Sequence, residues 1–216
     1  MCSIIASFDK DKLKELAALN EYRGTHSHSI SFYSLSEQKV VSVHKGMGPL
    51  PVDQIHISPG YYCICHQQAP TGEMLNITRA HPAAAGLSNL WHNGILKPAT
   101  IERLKQKHNA QTSWDTALFL YDIVQNEFNT LSEIDGTFAC ILALHNLDKN
   151  YPISTLFLFR NELAPLFVDD KYNVSSTKFE GSRSLEPNVV WQFEPGVAIT
   201  DTGHHFKTKE NPYYFG

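Results

Sequence analysis

The sequence predicts an α+β fold in which antiparallel sheets pack together. Hydrophobic patterning gives, in order, a strand, a helix, a group of strands, two helices and a long run of strands. Helices and strands grouped in this way are typical of α+β domains rather than of alternating βαβ units. A length of 216 residues with 42% hydrophobic residues suits one large domain, with two small ones as the alternative. We therefore treat residues 1–216 as a single domain.

The order of elements follows from local patterns. The apolar run Ile4-Ile5-Ala6 predicts a buried strand, and apolar residues at helical spacing predict a helix over 9–20, capped by Asp9 or Asp11. Strands rich in aromatic and β-branched residues follow, and a broad apolar face marks the second of two later helices. The predicted strands cover 30–34, 39–44, 61–66, 87–91, 137–144, 155–159, 165–168, 172–176, 189–193 and 197–200, and the later helices cover 100–108 and 114–128.

Composition excludes several functional classes. The net charge is -4, and no basic cluster is long enough to suggest a nucleic-acid partner or an anionic membrane surface. No apolar run approaches the ~20 residues that cross a bilayer, and the N-terminus lacks the pattern of a secretory signal. Four cysteines without a repeated framework indicate a reducing compartment, so we expect a cytoplasmic protein.

Cys2 is the first candidate for chemistry. Removal of Met1 would leave a thiol and a free α-amine on the same residue, with ordinary pKa values near ~8.5 and ~8. Such an amine can act, directly or through a water, as the base for its own side-chain nucleophile. The strand behind it would hold the nucleophile on a rigid element. Taken alone, the stretch favours the plainer interpretation of a small residue at a frayed chain end.

Two polar motifs could support a nucleophile. Asn93-Gly94 follows a predicted strand and predicts a tight turn, but an Asn amide and a Gly N–H can also converge on one oxyanion. Asp115 falls in the first turn of a predicted helix, where it could cap the helix or bind a substrate ammonium. Neither motif is specific by itself.

A metal site is not predicted. Cys63 and Cys65 would share one face of a strand, while His66 would point to the other face. The sequence has no second pair of ligands with the spacing that completes a tetrahedral site. We therefore interpret the two thiols as small core residues and expect neither a metal nor another cofactor.

The order of these motifs resembles the class II glutamine amidotransferase domain, the N-terminal nucleophile hydrolase module of asparagine synthetases, glucosamine-6-phosphate synthase and amidophosphoribosyltransferase. The resemblance is collinear and covers nearly the whole chain; single motifs are weak, but the ordered set is strong. It is carried by Met1-Cys2-Ser3-Ile4-Ile5-Ala6, Tyr22-Arg23-Gly24, His66-Gln67-Gln68-Ala69-Pro70-Thr71-Gly72, Ala80-His81-Pro82, His92-Asn93-Gly94-Ile95, Ser113-Trp114-Asp115-Thr116, Ile134-Asp135-Gly136-Thr137-Phe138-Ala139, Phe159-Arg160 to Pro165-Leu166, Ser175-Ser176 and Glu194-Pro195-Gly196.

The resemblance implies a four-layer αββα fold and hydrolysis of glutamine to glutamate and ammonia. Cys2 would be the nucleophile and its α-amine the general base, with Asn93 and Gly94 forming the oxyanion hole. Asp115 would bind the substrate ammonium. Thr71 and Gly72 would line the substrate pocket.

Two residues depart from the family pattern at the site. Gln68 occupies the position of the arginine that binds the substrate α-carboxylate, and a neutral amide cannot replace its bidentate, charge-assisted pairing. We therefore expect weak binding of free glutamine unless Arg79 or Arg23 reaches the pocket. Ser3 also replaces the family's usual glycine beside the nucleophile.

The expected partner is glutamine, together with a separate synthetase or other ammonia-accepting protein, because the chain ends near the usual end of the glutaminase domain. One rival hypothesis is an N-terminal nucleophile hydrolase acting on another amide, such as a γ-glutamyl compound or a peptide. Gln68 favours this rival. A second rival is a non-catalytic binding module of the same fold, which the joint presence of Cys2, Asn93, Gly94 and Asp115 disfavours.

Overall fold

A computed structural model describes residues 2–69, 77–145 and 154–207. In these ranges two antiparallel sheets are covered by three α-helices. The helices are α1 (Lys10–Asn20), α2 (Pro98–His108) and α3 (Asp115–Asn126), with 3-10 segments at Glu21–Arg23, Val52–Gln54, Ile77–Arg79 and Glu127–Glu133. The strands are β1 (Ser3–Ser7), β2 (Ser27–Ser34), β3 (Lys39–Met47), β4 (Tyr61–Gln68), β5 (Ala83–Ala85), β6 (Ser88–Leu96), β7 (Gly136–His145), β8 (Ser154–Arg160), β9 (Phe167–Val168), β10 (Val174–Ser175), β11 (Arg183–Ser184), β12 (Val189–Glu194) and β13 (Ala198–His205).

The two sheets and the helices form four layers. One sheet has the strand order β11-β9-β10-β1-β4-β2-β3 and the other has the order β13-β12-β8-β7-β6-β5. Ile64 of the first sheet and Trp91 of the second belong to the fully buried core between the sheets. Leu16 of α1 packs on the outer face of the first sheet, and Phe119 of α3 packs on the outer face of the second. This αββα arrangement confirms the predicted fold class.

The first strand lies inside its sheet and is buried on both faces. β1 pairs with β4 on one side and with β10 on the other. Ile4 and Ala6 face the core between the sheets, while Ile5 packs in the cluster beneath α1. Burial on both faces explains the uninterrupted apolar run, and each fully buried Ile contributes about 1.5–3 kcal/mol. The residue that precedes β1, Cys2, is therefore attached to one of the best-supported strands in the fold.

The predicted tight turn at Asn93-Gly94 is wrong. β6 continues through both residues to Leu96, and it pairs Asn93 with Ala139 and Gly94 with Phe138 of β7. Pairing with a central strand overrides the local turn signal. Glycine is required at 94 for another reason, because a Cβ there would lie 1.9 Å from the carbonyl oxygen of Thr137.

Other boundaries shift where tertiary contacts compete with local propensity. β2 begins at Ser27, earlier than predicted, because its small serines alternate into a buried face. β3 extends to Met47, beyond its predicted end at 44, because it pairs with β2 along its length. The later strands predicted over 165–168 and 172–176 shorten to two residues each. The short strands β5 and β11 carried no recognisable sequence pattern.

The cysteines of β4 are core residues, as predicted. Cys63 and Cys65 are free thiols, fully buried against α1, with their sulfur atoms 3.7 Å apart. His66 lies on the opposite face, where its ring stacks on that of His81. Within the described ranges, no group of three or more His, Cys, Asp and Glu residues could hold a metal ion.

Candidate active site

Cys2 is held in place through its backbone. Its carbonyl oxygen accepts a hydrogen bond of 2.9 Å from Nε of the buried Arg23, and its Sγ lies 4.0 Å from the carbonyl oxygen of Ala69. Gly24 allows this approach, because a Cβ there would lie 2.3 Å from the backbone nitrogen of Ala69. Arg23 and Gly24 together fix the start of β1 against the end of β4. Cys2 as a residue is only 7% exposed, yet it lines a cavity.

Cys2 lies between two pockets, each with a volume of about 160 Å³. Both pockets also contact Gly94 and Ile95. The first pocket is polar, and its remaining lining residues are Gln68, Arg79, His81, Ile101, Ser113, Trp114, Asp115 and Thr116. The second pocket is mostly apolar, and its remaining lining residues are Arg23, Asn93, Thr137, Leu163, Ala164 and Pro165. The described part of the chain therefore brings Cys2, Gln68, Gly94 and Asp115 to one cavity and places Arg23 and Asn93 at the other.

Asp115 joins a helix terminus to the end of a strand. It is the first residue of α3, and its Oδ1 accepts a 2.7 Å hydrogen bond from the backbone nitrogen of Thr116. Its Oδ2 accepts a 3.3 Å hydrogen bond from the backbone nitrogen of Leu96. The carboxylate thus stabilises the helix start, where negative charge is favourable, and it also lines the polar pocket. The two interpretations of Asp115 from the sequence are compatible in this geometry.

Asn93 is fixed by a residue to which the sequence assigned no role. Its Nδ2 donates a hydrogen bond of 3.2 Å to Oγ of Ser176. The same Oγ accepts a 2.9 Å bond from the backbone nitrogen of Ile4, and the backbone nitrogen of Ser176 donates to the Ile4 carbonyl. An amide nitrogen carries two hydrogens, so one remains for another acceptor. Ser176 therefore ties the orientation of Asn93 to the strand that carries Cys2.

A buried polar network lies behind the polar pocket. Nε2 of His81 is 3.0 Å from Oγ1 of Thr116, which is 3.2 Å from Nδ1 of His92. His92 reaches the carbonyl oxygen of Thr137 at 3.1 Å through Nε2, and His81 approaches Oε1 of Gln68 at 3.4 Å through Nδ1. The network therefore connects Gln68, which lines the polar pocket, to the backbone of Thr137 on β7.

Burial shifts the ionisation of the groups around the pocket. Desolvation lowers the pKa of His66 to about 3 and that of His81 well below its ordinary value, so both imidazoles are neutral. Desolvation also raises the pKa of the Cys2 thiol, and the nearby Asp115 carboxylate raises it further. A thiol with a raised pKa is protonated at neutral pH and needs a base before it can act as a nucleophile.

The buried histidines predict a loss of stability in mild acid. In the unfolded chain a histidine titrates near ~6.5, whereas folded His66 resists protonation down to about 3. Between these values the unfolded chain binds more protons, so the free energy of unfolding falls as pH falls. The slope is up to about 1.4 kcal/mol per pH unit for each of His66 and His81. Urea denaturation at pH 7, 6 and 5 measures this slope.

His66→Gln is the matched variant for this experiment. The variant lacks one of the two buried imidazoles. Between pH 6.5 and 5, its free energy of unfolding should therefore change with pH less steeply than that of the wild type, by up to about 1.4 kcal/mol per pH unit, whatever its stability at pH 7. Carboxylates titrate lower, near ~4, and contribute little in this window. A free energy of unfolding that stays constant from pH 7 to pH 5 would contradict the assignment of neutral buried imidazoles.

The remaining predicted site residues, Thr71 and Gly72, lie outside the described residues. The sequence predicts no role for three polar residues that line or support the pockets. These residues are His81, Thr116 and Ser176. Each belongs to a motif of the resemblance, which was the one available signal. From the sequence, Arg79 is a candidate only as a substitute for Gln68.

Comparison with solved structures confirms the four-layer αββα fold that the resemblance implied. The described architecture superposes on glutamine phosphoribosylpyrophosphate amidotransferase from B. subtilis, complexed with ADP and GMP, with a TM-score of 0.68 and 16% identity. That match covers 97% of this chain and 50% of the solved one. A structure described as the allosteric regulatory enzyme of purine biosynthesis gives a TM-score of 0.67, 16% identity, and coverage of 96% and 50%.

The chain spans about half the length of these solved structures. No protein-family model matches the sequence, and no curated protein matches it either. At 16% identity the similarity establishes the fold, and the activity has to be argued from the site. None of the helices in the described ranges is long and apolar enough to span a membrane.

Proposed function

We propose that the chain is a class II glutamine amidotransferase domain that hydrolyses glutamine to glutamate and ammonia. The observation that carries this proposal is the position of Cys2. It precedes a buried central strand and lines one polar pocket together with Gly94 and the carboxylate of Asp115. A nucleophile, an oxyanion-binding backbone and an anion for a substrate ammonium are the groups that amide hydrolysis of an amino acid requires.

The reaction begins with proton transfer. Once Met1 is removed, the α-amine of Cys2 takes the proton of the thiol, directly or through a water, since burial keeps that thiol protonated. The thiolate attacks the side-chain amide carbon of glutamine, and the C–O double bond opens to an oxyanion. The second N–H of Asn93 and the backbone N–H of Gly94 stabilise the oxyanion. As the C–N bond breaks, the ammonium of Cys2 returns its proton to the leaving nitrogen, and ammonia departs.

The second half of the reaction restores the enzyme. Water attacks the thioester carbon and the amine of Cys2 accepts one of its protons. As the C–S bond breaks, the resulting ammonium returns this proton to the sulfur, which releases glutamate and restores the thiol and the free amine. Asp115 binds the α-ammonium of glutamine during both steps. Arg23 contributes by holding the carbonyl of Cys2, which fixes the position of the nucleophile. This half-reaction requires no cofactor.

The proposal also covers the protein that accepts the ammonia and the compartment in which the reaction takes place. Ammonia passes to a separate synthetase or another ammonia-accepting protein, and the reaction takes place in the cytoplasm, where free cysteines persist. Neither nucleic acid nor a membrane takes part.

A second candidate function is hydrolysis of a different amide by the same nucleophile. Gln68 is the observation that favours it, because the family's carboxylate-binding charge is absent from this position. A panel containing glutamine, γ-glutamyl compounds and short peptides separates the two candidates. The substrate with the highest kcat/KM identifies the activity.

Ammonia release from glutamine by Met1-free protein is the direct test. We expect hydrolysis by the processed chain and none by a chain that retains Met1, because an acylated nitrogen cannot act as the base. Intact mass of the natively expressed protein shows whether Met1 is absent. Full activity in protein that fully retains Met1 would contradict this mechanism, and the absence of glutamine hydrolysis in the processed protein would contradict the proposed function.

A further inference from the structure

We infer that Arg79 replaces the residue at position 68 as the binding site for the substrate α-carboxylate. The substrate is then an amino acid with a free α-carboxylate and not a peptide or an α-amide. This inference rests on the proposed function, since it concerns the same pocket, but binding measurements can test it without any turnover.

The first argument concerns Gln68. Its side chain is neutral and 4% exposed, and its Nε2 donates a 3.4 Å hydrogen bond to the backbone carbonyl of Arg79. Its Oε1 lies 3.4 Å from Nδ1 of the buried His81. Both polar atoms of Gln68 therefore face protein atoms. The residue acts on the position of Arg79 rather than on the charge of a ligand.

The second argument concerns Arg79 itself. Arg79 ends the 3-10 segment Ile77–Arg79, and its side chain lines the polar pocket with Cys2 and Asp115. Its Nη2 donates a 3.3 Å hydrogen bond to the hydroxyl of Ser113, on the loop before α3. Among the described residues, no carboxylate forms an ion pair with Arg79. A guanidinium carries five N–H donors, and a neutral hydroxyl leaves its charge uncompensated.

The third argument compares the other cations around the two pockets. Arg23 donates to the carbonyl of Cys2 and lines the second, mostly apolar pocket. Lys45 donates a 2.9 Å hydrogen bond to the carbonyl of Pro82, and burial lowers its pKa. Of the described residues that line the polar pocket, Arg79 is the one arginine, and none of them is a lysine.

The polar pocket therefore combines three groups that match an α-amino acid. Asp115 supplies a negative charge for the ammonium, Arg79 supplies a bidentate positive group for the carboxylate, and Cys2 supplies the nucleophile. The ammonium and the carboxylate of glutamine share one carbon, and its amide lies at the other end of the side chain. A cavity of about 160 Å³ restricts the ligand to a small molecule. A neutral C-terminal extension of the substrate would lose the charge that Arg79 recognises.

The test is calorimetric binding of glutamine and of its α-carboxamide to a Cys2→Ala protein, which binds without turnover. Adding Arg79→Ala should weaken glutamine binding by about tenfold or more, because a charge-assisted bidentate pair is lost. The same change should alter binding of the α-carboxamide less than about twofold. Arg79→Lys should give an intermediate loss, since it keeps the charge without the planar fork. Arg183→Ala, an exposed arginine on β11, is the matched control and should change neither ligand.

In turnover, Arg79→Ala should raise KM for glutamine with little change in kcat, because the carboxylate does not react. Equal weakening of both ligands by Arg79→Ala would overturn the carboxylate assignment, and so would an unchanged affinity for glutamine. If the wild type hydrolyses glutamine but Arg79→Ala does not change the affinity for glutamine, this inference is rejected and the proposed function is not. Failure of glutamine to bind Cys2→Ala protein would reject the inference directly.

Discussion

Replacing Cys2 with alanine should abolish glutamine hydrolysis, with a fall in kcat of roughly 10⁴-fold or more, the scale seen when a catalytic nucleophile is removed. Cys2→Ser should be nearly as inactive, because a hydroxyl is a poorer nucleophile than a thiol at neutral pH. Ammonia release by Met1-free protein measures the loss. Cys2 is the one described cysteine that lines the pocket shared with Asp115 and Gly94, so the effect should be confined to it.

The other three cysteines supply matched controls for this experiment. Burial raises the pKa of Cys65 and of Cys140 well above the ordinary value, and both thiols are fully buried. Alanine at 63, 65 or 140 should therefore lower stability through lost packing while the folded fraction keeps its kcat. A glutamine-mimicking electrophile should label Cys2 alone. Labelling spread evenly over the four thiols would contradict a tuned site.

Asn93→Ala should lower kcat by about 100-fold or more, the usual loss when one oxyanion donor is removed. KM for glutamine should change little, since the oxyanion forms only after attack. Asn93→Asp should be at least as harmful, because it places a carboxylate where negative charge develops. Steady-state kinetics with far-UV circular dichroism on each variant separate lost chemistry from lost folding.

Asn89→Ala is the control on the same strand. Asn89 lies four residues before Asn93 in β6, and its Nδ2 donates to the carbonyl of Leu87, away from Cys2. This variant should retain wild-type kcat. An unchanged kcat in Asn93→Ala would mean that the amide of Asn93 serves only to join β6 to Ser176.

The layered fold could be predicted because its evidence is local. Apolar residues at helical spacing along α1 and α3 indicate which face of each helix is buried, and runs such as Ile4-Ile5-Ala6 indicate a strand that is buried on both faces. The position of Asn93-Gly94 could not be predicted in this way. Asn-Gly is a strong turn signal, and only pairing with β7, a contact between residues about 45 positions apart, keeps it in a strand.

The site could be predicted in part. Cys2, Asn93, Gly94 and Asp115 belong to motifs whose residue types already suggest chemistry. Ser176 could not be assigned a role, because its importance rests on hydrogen bonds to Ile4 and Asn93, which are distant in sequence. Long-range partners of this kind leave no periodic pattern in the chain.

The polar network behind the pocket also limits which neighbour His81 can donate to. Five contacts in succession connect the carbonyl of Arg79 to that of Thr137, and each needs one hydrogen between its two atoms. Neutral His81 has one ring hydrogen for its two contacts, and the hydroxyl hydrogen of Thr116 is donated to Oδ1 of Asp115 at 3.3 Å. The intervening side chains are those of Gln68, His81, Thr116 and His92.

The single ring hydrogen of neutral His81 lies on the side of Thr116. The contacts of Gln68 measure 3.4 Å, whereas those from His81 through Thr116 to Thr137 measure 3.0, 3.2 and 3.1 Å. Because the Thr116 hydroxyl donates to Asp115, it accepts from Nε2 of His81, and Nδ1 of His81 therefore presents a lone pair to the carbonyl oxygen of Gln68. Position 68 is thus surrounded by hydrogen-bond acceptors, an environment that a side chain carrying only donors would satisfy and that an amide satisfies only in part.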